Sequence, residues 1–184
     1  LARMNGKVVG IIASNPMVSG IMDYKAARKQ GHFTELCDMF NIPIILFADI
    51  PGLMVGVESE SDAILREGVR ARYIGFQVSV PVFSVLIRKC YGVAGGGFID
   101  RGGLNFKIAW PSAEWGSLPV EGGVAAAYRR EIESAPDPKA RLAEIEAELR
   151  TFASPLLTAE AFSVEEVIDP RETRAYLCRF IDAM

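Results

Sequence analysis

Two turns in this sequence combine residue types that could support chemistry. The first is Asp49-Ile50-Pro51-Gly52, where Pro51 fixes φ and Gly52 permits a positive φ, so a tight turn is predicted after an apolar run. The second spans residues 89–97, where small residues leave backbone N–H groups accessible at a predicted helix start. Such groups can hold a carbonyl oxygen that gains negative charge. A structural use of both turns, for chain reversal and close packing, is the alternative interpretation.

Side chains that usually perform catalysis are scarce. His32 is the single histidine, and it falls on a predicted basic helix face with Lys25, Arg28 and Lys29. A solvated or partner-facing role is therefore expected, because a general base must lie within reach of the proton it removes. The sequence lacks a Ser-His-Asp arrangement, a Gly-x-Gly-x-x-Gly motif after a strand and a Gly-Lys-Ser or Gly-Lys-Thr loop. Kinase and dehydrogenase functions consequently lose their main support.

Alternating strands and helices are predicted to position the two turns. Four β-rich runs are nearly all apolar, which is typical of strands buried on both faces: residues 7–13, 43–48, 81–87 and 105–110. A helix is predicted over residues 23–40, and another after the capping candidates Ser61 and Asp62. This order favours an α/β fold with right-handed crossovers.

Helical periodicity predicts which side chains face the core. Two apolar stripes are expected to pack inward, namely Phe33, Leu36, Cys37 and Phe40 in the first helix and Leu65, Val69, Tyr73 and Phe76 in the second. After Trp110 strands are predicted to stop. Three helices should follow, over residues 121–132, 139–150 and 171–184.

Composition indicates a globular chain. Hydrophobic residues make up 50% and charged residues 23% of 184 residues, which excludes disorder for most of the sequence. The net charge of -3, without long runs of one sign, predicts no nucleic-acid partner. The three cysteines, Cys37, Cys90 and Cys178, are too widely spaced for a zinc site and odd in number, so a reduced, cytoplasmic protein without bound metal is expected.

Chain length and apolar runs set two further expectations. Apolar stretches are much shorter than the roughly 20 residues that a membrane helix needs, so no membrane association is predicted. The sequence starts with Leu1 and not with Met, which suggests a piece of a longer polypeptide.

Five motifs at matching intervals resemble one known family. They are GKVVGIIASNP at residues 6–16, CDMFNIP at 37–43, DIPGL at 49–53, RKCYG at 88–92 and AWPSAE at 109–114. Together they are similar to the C-terminal carboxyltransferase domain of biotin-dependent acyl-CoA carboxylase β-subunits, of the propionyl-CoA and methylcrotonyl-CoA carboxylase type. The resemblance implies a crotonase-like α/β fold of stacked β-β-α spirals with a helical C-terminal tail. Residues 1–133 would form the core and residues 134–184 the extension.

The resemblance also implies a function and a cofactor. Such domains hold the biotin side of a site where carboxybiotin transfers its carboxyl group to the α-carbon of an acyl-CoA, while biotin itself is attached to a separate carrier domain. By position in the motif, the backbone amides of Val93 and Ala94 would form the oxyanion hole for the ureido oxygen. The residues expected to line the biotin and substrate side are Pro51, Gly52, Tyr91, Gly92, Gly95 and Gly96.

Three departures from the family pattern concern the substrate. Val93 occupies a position where relatives often carry Gly, but it keeps the backbone N–H. Gly95 and Gly96 replace larger residues, which predicts a roomier acyl pocket. Residues 114–119 replace a segment that usually contains a Met-Gly pair, and so the acyl group is left open.

The family's architecture implies partners. Its active sites form between the N-terminal domain of one protomer and the C-terminal domain of a neighbour, so this chain would contribute half a site to a homo-oligomer. The remaining partners would be an acyl-CoA and a biotin carboxylase or carrier subunit. Two alternatives stay open, a biotin-dependent acyl-CoA decarboxylase subunit and a non-catalytic homologue that serves assembly.

Overall fold

A largely parallel β-sheet forms the centre of the molecule. The computed structural model describes the backbone of residues 1–184 and every side chain except that of Phe98. Along the sheet the strand order is β1-β2-β3-β4-β5-β7, and β6 pairs with β4. Apart from β1, which is antiparallel to β2, the strand pairs are parallel. The bounds are β1 Ala2–Met4, β2 Lys7–Ala13, β3 Ile44–Ile50, β4 Val82–Tyr91, β5 Asn105–Ala109, β6 Glu114–Gly116 and β7 Glu166–Val167.

Helices connect and cover these strands. They are α1 Tyr24–Met39, α2 Val57–Ser61, α3 Ile64–Gln77, α4 Gly92–Ile99, α5 Val120–Ala127, α6 Arg129–Ser134, α7 Pro138–Phe152, α8 Pro155–Glu160 and α9 Thr173–Asp182. The Asp23 carboxylate accepts the N–H of Ala26 at 2.7 Å, which caps α1. Within the residues described, no helix combines the length and apolarity that crossing a bilayer requires.

Apolar residues of the central strands pack on both faces of the sheet, as predicted. In β3, Ile44, Leu46 and Ala48 belong to a cluster shared with α1, α3 and α4. The alternating residue Ile45 belongs to a second cluster, which α9 completes with Leu177 and Ile181. Period-two alternation between two covered faces explains why both sets are apolar.

The structure corrects the predicted inner face of α3. Leu65, Val69, Tyr73 and Phe76 are between 46% and 63% exposed. Ile64, Gly68, Ala71 and Gly75 form the buried face instead. Small residues allow close approach there: a β-carbon added at Gly68 would lie 3.2 Å from the Leu53 side chain. A similar correction applies to Phe40, which is exposed at the end of α1.

Two further predictions for the C-terminal part were wrong. Strands do not stop at Trp110, since β6 pairs with β4 and β7 pairs with β5. The single helix expected over residues 121–132 is divided into α5 and α6, and Gly122, with φ 80°, interrupts helical geometry inside α5. Residue 133, the expected end of the core, lies in α6, and β7 and α9 pack on the sheet; the division into core and extension stays a prediction.

Candidate active site at the ends of β3 and β4

Both turns singled out by the sequence lie at the ends of neighbouring parallel strands, but their first residues belong to the strands. Asp49 and Ile50 end β3 before Pro51 and Gly52, and residues 89–91 end β4. The passage from Tyr91 into α4 at Gly92 is called the Tyr91 turn. The carboxyl ends of parallel strands are where ligand sites of α/β proteins lie. The loop after β2 fastens the first turn, because the Met22 N–H donates to the Gly52 carbonyl at 3.0 Å. Gly52 has φ 150° and Gly92 φ 61°, conformations that suit glycine.

The start of α4 presents free backbone donors. The first N–H groups of any helix lack partners inside the helix. Tyr91 is the N-cap residue, and none of the described side chains caps this end. Val93 is 42% exposed, whereas the Ala94 side chain is buried in the core cluster below α4. The predicted oxyanion-hole residues thus lie at a helix start that one buried side chain anchors.

Gly95 and Gly96 face protein atoms and not an open pocket. A β-carbon at Gly95 would lie 2.6 Å from the carbonyl carbon of Cys90. A β-carbon at Gly96 would meet the Arg72 guanidinium, which pairs with Asp100 at 3.1 Å. The fit is therefore tight against backbone at Gly95, whereas the neighbour of Gly96 is the end of a flexible side chain. The roomier acyl pocket expected from these two glycines stays a prediction.

A register shift between β3 and β4 lies immediately before the Tyr91 turn. Ala48 pairs with Leu86, but Ile50 pairs with Cys90, so Asp49 alone stands opposite residues 87–89. The Asp49 carboxylate accepts hydrogen bonds from Arg88 Nε at 3.2 Å, Arg88 Nη2 at 3.1 Å and the backbone N–H of Lys89 at 3.1 Å. Its own backbone N–H donates to the Ser14 hydroxyl at 3.3 Å, which links β2 to the same point.

On the other side of the turn, β4 contacts α5 and β6. Lys89 Nζ lies 3.0 Å from a carboxylate oxygen of Glu121, whose other oxygen lies 3.8 Å from Arg150. The Tyr91 hydroxyl donates to Glu114 Oε2 at 3.1 Å. A cavity of about 270 Å³ between the sheet and α7 is bordered by Tyr91, Ser112, Glu114, Glu121 and Arg150.

Two side chains at the turn, those of Cys90 and Tyr91, keep their protons near neutral pH. Burial raises the pKa of the Cys90 thiol to about 12, with a smaller contribution from Asp100. Burial, followed by the nearby Glu114 carboxylate, also raises the pKa of the Tyr91 hydroxyl. A protonated thiol is a poor nucleophile. Cys90 and Tyr91 therefore supply neither a nucleophile nor a base near neutral pH, whereas the start of α4 supplies backbone N–H donors.

His32 lies elsewhere, in a groove of about 180 Å³ between α1 and α3 that Arg28, Glu67 and Arg70 also line. The sequence analysis placed Asp49 and Lys89 in the two turns without giving their side chains a role, and it did not single out Arg88 or Glu114 as site residues. The adjacent cations Arg88 and Lys89 were the available signal. A third cavity, of about 380 Å³, lies at the end of β2 and is lined mainly by apolar residues, among them Ile12, Met22 and Ile50.

Sequence comparisons identify related proteins. Residues 1–184 match the carboxyl transferase domain family. The chain is 40% identical over 176 residues to the methylmalonyl-CoA carboxyltransferase 12S subunit of Propionibacterium freudenreichii subsp. shermanii, covering 94% of this chain and 34% of that subunit. It is 36% identical over 185 residues to the methylmalonyl-CoA decarboxylase subunit alpha of Propionigenium modestum, covering 99% of this chain and 35% of that protein.

A solved structure supports the same relationship. The transcarboxylase 12S hexamer, crystallised with methylmalonyl-coenzyme A and methylmalonic acid, matches with a TM-score of 0.88 at 37% identity, over 98% of this chain and 35% of that one. This match confirms the predicted crotonase-like α/β fold. The chain spans about a third of the length of the curated relatives it matches. With a family match across its whole length and relatives at this level of identity, the chain belongs to the carboxyl transferase domain family.

Proposed function

We propose that this chain forms the biotin side of a carboxyltransferase site, in which a carboxyl group passes between biotin and the α-carbon of an acyl-CoA. The observation that carries the proposal is the start of α4, where Val93 and Ala94 follow Tyr91 and no described side chain caps the helix. Two adjacent N–H groups at a helix start suit a ureido carbonyl oxygen. The residues present therefore fit biotin.

Bound biotin, carried by a separate domain, supplies reversible attachment of the carboxyl group. This chain's part is to bind and orient. The amides of Val93 and Ala94 hold the ureido oxygen, and the positive end of the α4 dipole favours negative charge there. Such donors are fixed before reaction, which is why they stabilise developing charge effectively. Pro51, Gly52, Tyr91 and Gly92 shape the surrounding surface.

The protonation of the side chains at the turn supports a role in binding and not in proton transfer. With the pKa values of Cys90 and Tyr91 both raised, neither group accepts a proton from substrate near neutral pH. His32 belongs to the α1–α3 groove. The proposed role, which is to bind and orient biotin, needs no proton transfer by a side chain of this chain. The protonated Cys90 and Tyr91 and the distant His32 are consistent with that role.

The partners proposed are an acyl-CoA, a biotin carrier subunit, and the N-terminal domain of a neighbouring protomer that completes the site. The exposed apolar side chains of α3 support assembly, because exposed apolar patches mark interaction surfaces. They are Leu65, Val69, Tyr73 and Phe76. The relatives are about three times longer than this chain, and the 12S relative forms a hexamer. The acyl group itself stays open.

Decarboxylation is the second candidate, favoured by the similarity to a methylmalonyl-CoA decarboxylase subunit. The same amides would hold the ureido oxygen whichever way the carboxyl group moves. The uncapped start of α4 supports both catalytic functions over the purely structural alternative, which would need no free donors there.

The test uses the complete polypeptide that contains this chain, supplied with biotinylated carrier protein. Radiolabelled methylmalonyl-CoA should label the carrier, and labelled carrier should carboxylate propionyl-CoA. Label that reaches the carrier and then leaves as CO2, with no uptake by any acyl-CoA tried, would favour the decarboxylase. Failure to label the carrier from any carboxylated acyl-CoA tried, together with failure of the labelled carrier to carboxylate any acyl-CoA or to release CO2, would refute the proposed function. The 184-residue chain alone should show no transfer, since it holds one side of the site.

A further inference from the structure

The register shift between β3 and β4 forms a bulge in β4 at residues 87–89, and contacts from other residues must fix its conformation. Where Asp49 stands opposite residues 87–89, two extra residues enter β4 directly before Cys90 and Tyr91. Such insertions disrupt the ladder and re-aim the strand that carries them. The direction in which Tyr91 leaves the sheet, and with it the start of α4, therefore depends on how this bulge is fixed.

The Asp49 side chain occupies the position that can fix it. One carboxylate oxygen accepts from Arg88 Nε and from the Lys89 backbone, and the other accepts from Arg88 Nη2. The Asp49 side chain is only 13% exposed, whereas Arg88 is 55% exposed, so the bond from the Lys89 backbone is the one best shielded from solvent. Charge-assisted and bidentate hydrogen bonds are the strong and geometrically specific ones.

The backbone around Asp49 is held as well. Its N–H donates to Ser14 of the loop after β2. A β-carbon at Gly20 would lie 2.6 Å from the Asp49 carbonyl oxygen, so that loop packs tightly over the residue. The loop after β2 thus holds the main chain of Asp49 in place. The hydrogen bonds from Arg88 and Lys89 then fix the bulge of β4 relative to β3.

We propose that Asp49 is a positioning residue, whose carboxylate sets the bulge at Arg88 and Lys89 and thereby aims the backbone amides of Val93 and Ala94. The role rests on the proposed function of those amides. Asp49 acts through the strand and does not touch substrate. A misplacement of about 1 Å in a catalytic arrangement can cost roughly 10²-fold in rate, so the amides would be sensitive to a relaxed bulge.

The experiment compares Asp49→Asn with Glu121→Gln in the complete enzyme. Glu121 is a matched control because it pairs with Lys89, the neighbour of Arg88, but is 62% exposed. For Asp49→Asn we expect kcat/KM for free biotin as acceptor to fall by about 10²-fold while KM for the acyl-CoA stays within about twofold. Hydrogen exchange in residues 86–95 should become faster. Glu121→Gln should change neither readout.

The outcomes separate the two proposals. If the wild type transfers carboxyl groups and Asp49→Asn matches Glu121→Gln in the kinetics, the positioning role is overturned, whatever the exchange shows. If the wild type transfers no carboxyl group but Asp49→Asn still makes hydrogen exchange in residues 86–95 faster, the proposed function fails. The conclusion that Asp49 fixes the bulge of β4 is then retained. Should Asp49→Asn not fold, Arg88→Gln replaces it: a selective loss on the biotin side supports the role, and parity with the wild type overturns it.

Discussion

The two sides of the Tyr91 turn use the same kind of contact in different surroundings. On the β3 side, Asp49 is mostly buried and accepts three hydrogen bonds, one of them from the backbone of β4. On the α5 side, Glu121 is mostly exposed and contacts Lys89 and Arg150 through side chains alone. Exposed ion pairs contribute about 0–1 kcal/mol, and each of the two pairs has one exposed partner, Arg88 on one side and Glu121 on the other. The burial of Asp49 and its bond to the backbone of β4, more than charge, therefore distinguish the β3 side.

The largest effect should come from the turn itself, which both sides support. Ala94→Pro removes one N–H donor in the first turn of α4, where proline is better tolerated than in a helix interior. Loss of one oxyanion-hole donor typically costs about 10²–10³ in turnover. Val93→Ala keeps its N–H and should be mild. Turnover is measured in the complete enzyme after thermal unfolding shows that both variants are folded. Normal turnover by a well-folded Ala94→Pro enzyme would contradict the role of the Ala94 N–H in the oxyanion hole and would leave the turn with a packing role only.

The packing beneath the turn predicts a stability effect. Gly95→Ala would force a methyl group against the Cys90 backbone, and overpacking typically costs about 1–3 kcal/mol. Gly97→Ala is the control, because its β-carbon would lie 3.8 Å from Arg72, an ordinary contact. Urea unfolding should separate the two variants. Equal stability, or a changed acyl-chain preference in Gly95→Ala, would contradict the packing assignment.

A smaller effect is expected at the β6 side of the turn. Tyr91→Phe removes the hydroxyl that donates to Glu114 and should cost about 0.5–1.5 kcal/mol, the usual net value of a hydrogen bond. Tyr176→Phe, which also removes a hydroxyl bonded to a carboxylate but at the surface beside β7, should cost less. Chemical denaturation measures both. No measurable loss for Tyr91→Phe, or a loss no greater than that of Tyr176→Phe, would contradict the prediction that the Tyr91 contact stabilises the turn.

The smallest effect is expected at His32. Because His32 lies in the α1–α3 groove, His32→Gln should leave turnover of the complete enzyme within about threefold. Loss of a general base would cost about 10²-fold or more. Initial rates at saturating acyl-CoA decide the matter. A drop of that size at unchanged thermal stability would mean that a side chain of this chain does move a proton.

Local patterns in the sequence were sufficient to predict the main strands and the start of α4. A run such as Ile44-Ile45-Leu46-Phe47 predicts a strand covered on both faces. In β3, alternate residues of this run do pack in two clusters on opposite faces of the sheet. The strands β6 and β7 were missed because three- and two-residue strands have too few positions for a period. They exist through pairing with β4 and β5.

Properties that depend on neighbouring elements could not be predicted. Helical spacing located α3 but chose the wrong face, since Gly68 and Gly75 contribute little hydropathy and are buried because other elements approach them closely. Asp49 was recognised as part of a turn. Its contacts arise from a register shift against β4, which no local pattern in β3 reveals. Val93 and Ala94 were named from a family resemblance, and their role remains a proposal.

The packing of α9 has a consequence for the order in which the molecule can fold. Leu177 and Ile181 complete the cluster that also contains Val9 and Phe83, and the Phe180 ring lies 5.0 Å from that of Phe83. During synthesis, one face of the sheet must therefore wait for these distant residues to leave the ribosome. Until then β2, β3 and β4 display an uncovered apolar surface, a state in which nascent chains are prone to aggregate and which chaperones bind.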